Sequence, residues 1–193
     1  MKNIDRRNFL KKTSLTAAAI ATATAFDSCA EAEPERAANA QYMGGFGAAK
    51  LETVRIALIG VGARGSGHAR NLAMLEGTEI VAISDLYQDW AERSKTTCEE
   101  IGKGQRHQDI ALYTEGENHW KVMLDEVKPD AVFISTNWSN HAPMAIEAMK
   151  KGAHAFVEVP IGLTLEEMWQ VVDTSESTKK HCMMMENVNY GRD

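Results

Sequence analysis

Cysteine is scarce in this chain of 193 residues: Cys29, Cys98 and Cys182 are odd in number and stand at unrelated spacings. That excludes a disulfide framework and a cysteine-rich metal site. Cys98 falls in a predicted helix and Cys182 in a predicted strand, where both are expected as buried free thiols packing like small hydrophobes. The run His181–Met185 has soft donors, but consecutive strand residues face opposite ways. It reads as core packing, and no metal site is expected. A basic surplus is lacking too. The formal net charge is -6, which excludes an ordinary nucleic-acid face. No apolar run is long enough to span a bilayer; the stretch 13–25 is short, mildly apolar and rich in Ala and Thr. The 44% apolar and 25% charged content is that of a globular protein, and the length suits one ordinary domain with a tail.

What the chain does have is glycine in an informative arrangement. An apolar run from Val54 leads into Gly60, Gly62 and Gly65, spaced G-x-G-x-x-G, and a second apolar run ends in an acid, Asp85. In that context the spacing is a dinucleotide fingerprint. Gly60 permits a tight turn, Gly62 lets the backbone approach a pyrophosphate, and Gly65 lets the next helix pack close to the strand. Ala63 and Arg64 complete the loop, whose helix-opening N–H groups favour phosphate. Asp85 is expected to accept from the adenosine ribose hydroxyls and to repel a 2′-phosphate, which selects NAD over NADP. Arg64 either stacks on adenine or binds phosphate.

Periodicity predicts strands at 54–59, 79–84, 109–113, 131–135, 154–157 and 181–185, alternating with helices. The first helix covers 65–76 and the second 88–101, the latter with Trp90, Ala91, Ser94, Cys98 and Ile101 at helical spacing. The third carries Trp120, Met123, Leu124 and Val127, and the fourth covers 140–150 and stops at Gly152. The fifth opens on the capping box Thr164–Glu167 and is expected to bury Leu165, Met168, Trp169 and Val172. Such alternation implies an α/β fold, a doubly wound parallel sheet in the order 3-2-1-4-5-6. Ligands then bind beyond the carboxyl ends of the strands. The residues there are Arg64, Asp85, Thr136, Asn137, Trp138, His141, Glu158, Glu186 and Asn187. Trp138 either stacks near the nicotinamide or walls the pocket. His68 reads as a packing or phosphate-side residue, and His107 and His119 as solvated.

Charge divides the chain. Residues 1–30 hold five Lys/Arg against two acids, a net of +3, which leaves -9 for the rest. Arg6-Arg7 with Phe9-Leu10-Lys11, followed by the short apolar stretch, resembles a twin-arginine (Tat) export signal. The Tat export machinery is then a partner, and the product is periplasmic. The residues before Cys29 resemble a degraded lipobox, so a lipid anchor at Cys29 is the alternative to a soluble product. The domain plan is therefore 1–30 signal segment, 31–52 flexible linker and 53–193 NAD-binding domain. A C-terminal substrate domain is apparently missing, so the chain reads as incomplete. A homo-oligomer is compatible with this plan.

The start R-I-A-L-I-G-x-G-x-R-G, the segment H-A-P-M-A-I-E-A-M-K-K-G-A-H and the E-x-P that follows resemble the Gfo/Idh/MocA oxidoreductases. Members usually carry E-K-P, with the lysine near the reacting carbon; here the motif is Glu158-Val159-Pro160. The tract from Val157 through E-E-M-W-Q-V-V-D-T-S-E to K-H-C-M-M-M-E-N-V-N-Y-G-R resembles glycosyl hydrolase family 109, the NAD-dependent α-N-acetylgalactosaminidases. Asn137 and Asn189 stand where that group is expected to have proline and cysteine. The resemblance implies a substrate with terminal α-linked N-acetylgalactosamine and a route through oxidation at sugar C3, elimination, water addition and reduction, with no net redox change. It implies that Arg64, Gly65, Asp85, Trp138, Asn140, His141, Glu158, Val159 and Asn187 line the cofactor. Tyr190 is the candidate substrate-side proton-transfer group, or else a hinge or packing residue. Two other readings stand beside this one: an exported sugar oxidoreductase of the Gfo/Idh/MocA type, and a non-catalytic NAD-binding module.

Overall fold

A computed structural model describes residues 41–104 and 106–187. The signal segment, Cys29 and Tyr190 lie outside the described residues. The strands are β1 (Val54–Ile59), β2 (Thr78–Ser84), β3 (Ala111–Tyr113), β4 (Ala131–Ile134), β5 (His154–Val157) and β6 (Cys182–Met184). Between them run α1 (Gly65–Met74), α2 (Gln88–Gly102), α3 (His119–Val127), α4 (Trp138–Lys150) and α5 (Leu165–Thr178). All strand pairs are parallel, in the expected order β3-β2-β1-β4-β5-β6.

Strand alternation builds two cores from one sheet. Ile56 and Leu58 of β1 pack with Ala69, Leu72 and Ala73 of α1 and with Ala91 and Cys98 of α2. Ala57 and Ile59 face the other way and pack with Met123 and Leu124 of α3, Ala145 and Met149 of α4, and Val171 of α5. Each fully buried Ile, Leu, Val or Met side chain contributes roughly 1.5–3 kcal/mol, so these layers hold the strand ends, and hence the site, in place. Burial pushes the thiol of Cys98 up to about 11 and that of Cys182 to about 12, so neither is a nucleophile near neutrality.

The α5 boundary agrees with its capping box. The Thr164 hydroxyl accepts the Glu167 N–H at 3.1 Å, and the Glu167 carboxylate accepts the Thr164 N–H at 3.2 Å. The buried face of that helix differs from expectation. Leu165, Met168 and Val172 are 65%, 42% and 38% exposed, and the residues that turn inward are Val171, Thr174 and Glu176. The apolar period is present, but no element among the described residues covers that stripe. Strand β6 is likewise only partly enclosed. Cys182 packs on the core, whereas Met183 and Met184 are exposed, because β6 is the edge strand.

His107 is a second correction. It is fully buried, not solvated. Strand β3 pairs with β2 only at Ala82–Ser84, which leaves the Ile80 N–H without a ladder partner. The His107 ring takes that place: Nδ1 accepts the Ile80 N–H at 3.0 Å, and Nε2–H donates to the Ala73 carbonyl at 3.0 Å. A polar sequence neighbourhood hides this role. His119 is half-buried, with Nδ1 accepting the Glu115 N–H at 2.9 Å and its ring edge-on to Tyr113.

Candidate functional site

The loop from β1 to α1 turns at Gly60, whose φ of +83° lies in the left-handed region that a side chain resists. A Cβ at Gly60 would meet the Ser135 carbonyl oxygen at 2.7 Å, and one at Gly65 would run into the Gly60 carbonyl. Both glycines are thus required by backbone contacts, Gly60 against the end of β4 and Gly65 inside the turn. Gly62 has a different reason. A Cβ there would stand 2.9 Å from the Trp90 ring, so the indole lies directly over the second glycine. Trp90 was expected on the buried stripe of α2. That stripe is Ala91, Ser94, Cys98 and Gly102, and Trp90, about 100° round the helix, is 38% exposed at its margin.

Asp85 fastens the loop to the end of β2. One carboxylate oxygen accepts the Val61 N–H at 2.7 Å and the other accepts the Tyr87 N–H at 2.9 Å. Each oxygen keeps a lone pair for a further donor. The N–H groups of Gly62, Ala63 and Arg64 find no acceptor among the described residues. These orphan donors at a helix start form a seat for an anion.

The loop borders a cleft of about 600 Å³ at the carboxyl ends of β1, β2 and β4. Gly60, Gly62 and Asp85 line one side, with Tyr87 and Trp90, whose ring centroids are 4.9 Å apart. Thr136, Asn137 and Asn140 line the β4 side, and Trp120 and Lys121 close the far wall. The aromatic wall of Tyr87 and Trp90 was missed from the sequence. Its signal was the break in the buried stripe immediately after Asp85.

The remaining expected residues lie around this cleft, not within its lining. His141 is buried beneath it: Nδ1–H donates to the Pro160 carbonyl at 2.7 Å, and Nε2 lies 3.1 Å from the Thr136 carbonyl oxygen. The ring therefore ties the turn after β5 to the turn after β4. Trp138, in the first turn of α4, is 62% exposed. Val159 is partly exposed beside Glu158, and Asn187 is exposed beyond β6.

Glu158 is the meeting point of a second cluster. Its Oε1 lies 2.6 Å from Nε2 of His68 on α1 and 3.4 Å from Nε of Arg64. Its Oε2 accepts the Val159 N–H at 3.4 Å. Burial pushes the Glu158 carboxyl up, but the hydrogen bond to His68 and the Arg64 charge outweigh it and hold the group below the usual carboxylate value. In this arrangement Arg64 faces the β5 side of the loop, away from Asp85.

The glycine cradle, the orphan donors and the acid at the end of β2 fit a dinucleotide, with the pyrophosphate on the loop. They define the chain as a Rossmann-type dinucleotide-binding domain. Residues 54–186 match the oxidoreductase family with NAD-binding Rossmann fold, Gfo/Idh/MocA, and the chain belongs to that family. NAD is the cofactor of this domain.

The chain is similar to glycosyl hydrolase family 109 protein 1 of Akkermansia muciniphila, 52% identical over 160 residues, which cover 83% of this chain and 32% of that protein. It is 44% identical over 194 residues to an α-N-acetylgalactosaminidase of Shewanella oneidensis, covering 100% of this chain and 41% of that protein. The chain thus spans less than half the length of these curated relatives. Among solved structures it is similar to myo-inositol 2-dehydrogenase from Lactobacillus plantarum, with TM-score 0.58, 28% identity, and 72% of this chain and 38% of that one covered. It is also similar to myo-inositol dehydrogenase from Lactobacillus casei in complex with NAD(H) and myo-inositol, with TM-score 0.53, 27% identity, and 64% and 33% covered.

Proposed function

We propose that the whole protein is an NAD-dependent glycosidase that removes terminal α-linked N-acetylgalactosamine by oxidation, elimination, water addition and reduction. The observation that carries this reading is Glu158-Val159-Pro160, which has valine where the redox members of the family usually carry a catalytic lysine. The names of the relatives at 44–52% identity support it. Bound NAD supplies a reversible hydride acceptor at the sugar, returned in the same cycle.

The chain's own residues bind and orient. The N–H groups of Gly62, Ala63 and Arg64 hold the pyrophosphate, with Gly60 and Gly65 shaping the turn. Asp85 accepts from the adenosine ribose hydroxyls. Trp138, Asn140, His141, Glu158, Val159 and Asn187 surround the nicotinamide half. Tyr190, outside the described residues, is assigned substrate-side proton transfer. Residues 1–30 direct Tat export, 31–52 form the linker, 53–193 are the NAD-binding domain, and Cys29 is the point of lipid attachment if an anchor is present.

The likeness to inositol dehydrogenases favours a second reading, net hydride transfer from a free sugar. One assay separates the two. The whole protein is given p-nitrophenyl α-N-acetylgalactosaminide without added NAD. Sustained p-nitrophenol release with no net NADH supports the glycosidase. NADH accumulating with a free sugar supports the oxidoreductase, and neither activity leaves a binding module.

A further inference from the structure

The cluster of His68, Arg64 and Glu158 has no part in the cleft lining, yet it joins the start of α1 to the end of β5. Strand alternation explains how it forms. Val157 points into the core under α4 and α5, so Glu158 points to the opposite face, where α1 lies. His68 is one turn beyond Arg64 on that helix, which places both on one side. The Glu158 side chain is 12% exposed and the His68 side chain 24%, so the pair works in a poorly solvated place. A carboxylate only accepts, so His68 donates its Nε2–H across the 2.6 Å contact. Oε1 therefore meets both His68 and Arg64, and Oε2 holds only the long contact to the Val159 N–H.

The position along the sheet gives this charge a direction. Asp85 ends β2 on one side of the glycine loop, and Glu158 ends β5 on the other side, beyond β4. A dinucleotide seated on the loop with its adenosine at Asp85 runs its nicotinamide toward β4 and β5. The oxidised nicotinamide ring is a cation and the reduced ring is neutral. A fixed, poorly hydrated carboxylate on that side attracts the first more than the second, by an amount that grows as water is excluded.

We propose that His68 is a positioning residue that holds Glu158 as a fixed negative charge on the nicotinamide side, and that the pair biases the domain toward oxidised NAD over reduced NADH. The inference rests on the reading that the nicotinamide lies toward β5. Arg64 helps to hold the carboxylate, but at 60% exposure it is screened by solvent, and His68 sets the geometry.

The test is the ratio of dissociation constants for NADH and NAD+ in the whole protein, freed of cofactor and titrated calorimetrically with each form separately. His68→Ala should weaken NAD+ binding about five- to tenfold and leave NADH within about twofold, so the ratio collapses. His68→Gln keeps an N–H donor of similar reach and should restore most of the ratio. Circular dichroism confirms that each variant is folded. Equal losses for both forms, an unchanged ratio in His68→Ala, or no rescue by His68→Gln overturns the positioning role while the binding site stands. If the wild-type protein binds neither form, the dinucleotide reading itself fails.

Discussion

Two glycines two residues apart in chain order show how far a single Cβ decides an outcome. Gly65 opens α1 against the turn, and an added methyl would run into the Gly60 carbonyl, which is backbone and cannot rotate away. Gly67 lies in the same helix, and a Cβ there would meet nothing within 4 Å. The same substitution should therefore have opposite signs. Gly65→Ala is expected to destabilise by about 1–3 kcal/mol through overpacking. Gly67→Ala should stabilise by about 0.5–1 kcal/mol, because it removes backbone freedom from the unfolded chain at a helical position. Urea unfolding midpoints of the two variants in the whole protein decide this, and a stabilised Gly65→Ala would mean that the turn is looser than described. Fingerprint spacing alone marks Gly65 and passes over Gly67, so the sequence was informative here. The spacing marks Gly62 too, but its contact with the ring of Trp90 on α2 is one that no local pattern carries.

The elements differ in how much of their environment a sequence can express. The existence and order of the strands and the capping box at Thr164 were legible, because each depends on local periodicity or on residues within one turn, although 109–113 and 181–185 shorten to Ala111–Tyr113 and Cys182–Met184. The buried face of α5 was not, since an apolar stripe says only that a helix could be covered. His107 was missed for a related reason: its polar flanks suggest solvent, whereas the short β3 creates the vacancy it fills. Histidines also tie the other edge of the sheet, where Nδ1 of His154 accepts the His181 N–H at 2.9 Å between β5 and β6. Burial, then the charges of Lys180 and His181, lower the His154 value, against an opposing pull from Asp130. A protonated Nδ1 cannot accept that bond. The unfolded chain therefore binds the proton more readily, so this contribution to stability is complete above the ordinary histidine value near 6.5 and is lost as pH falls through the lower folded value. Glu158 acts in the same direction at more acidic pH, below the usual carboxylate range. His154→Asn retains an acceptor but cannot be protonated there. Urea midpoints measured at pH 7.5 and pH 5.0 should fall less in this variant than in the wild type. An equal fall in both would place the acid sensitivity elsewhere.

On the scale of the whole molecule, a cofactor that binds only the folded domain should also stabilise it. Asp85 both fastens the glycine loop, through Val61 and Tyr87, and offers its remaining lone pairs to the cleft, where the proposed reading puts the adenosine ribose. Its charge would meet a 2′-phosphate unfavourably, and its loss would loosen the loop even with no cofactor present. These two effects separate in thermal melts run with and without dinucleotide. NAD at about one hundred times its dissociation constant should stabilise the wild type by about 2.7 kcal/mol, seen as a Tm that climbs with NAD concentration. NADP at the same concentrations should raise Tm less. Asp85→Ala should melt lower than the wild type without any ligand, because two loop N–H groups lose their acceptor. Its NAD-dependent stabilisation should fall by a further 1–3 kcal/mol, about what is lost with a charge-assisted hydrogen bond, and the gap between NAD and NADP should narrow. A variant that melts lower by itself yet gains as much from NAD as the wild type would make Asp85 a loop fastener alone and leave the choice between the two dinucleotides to other groups in the cleft.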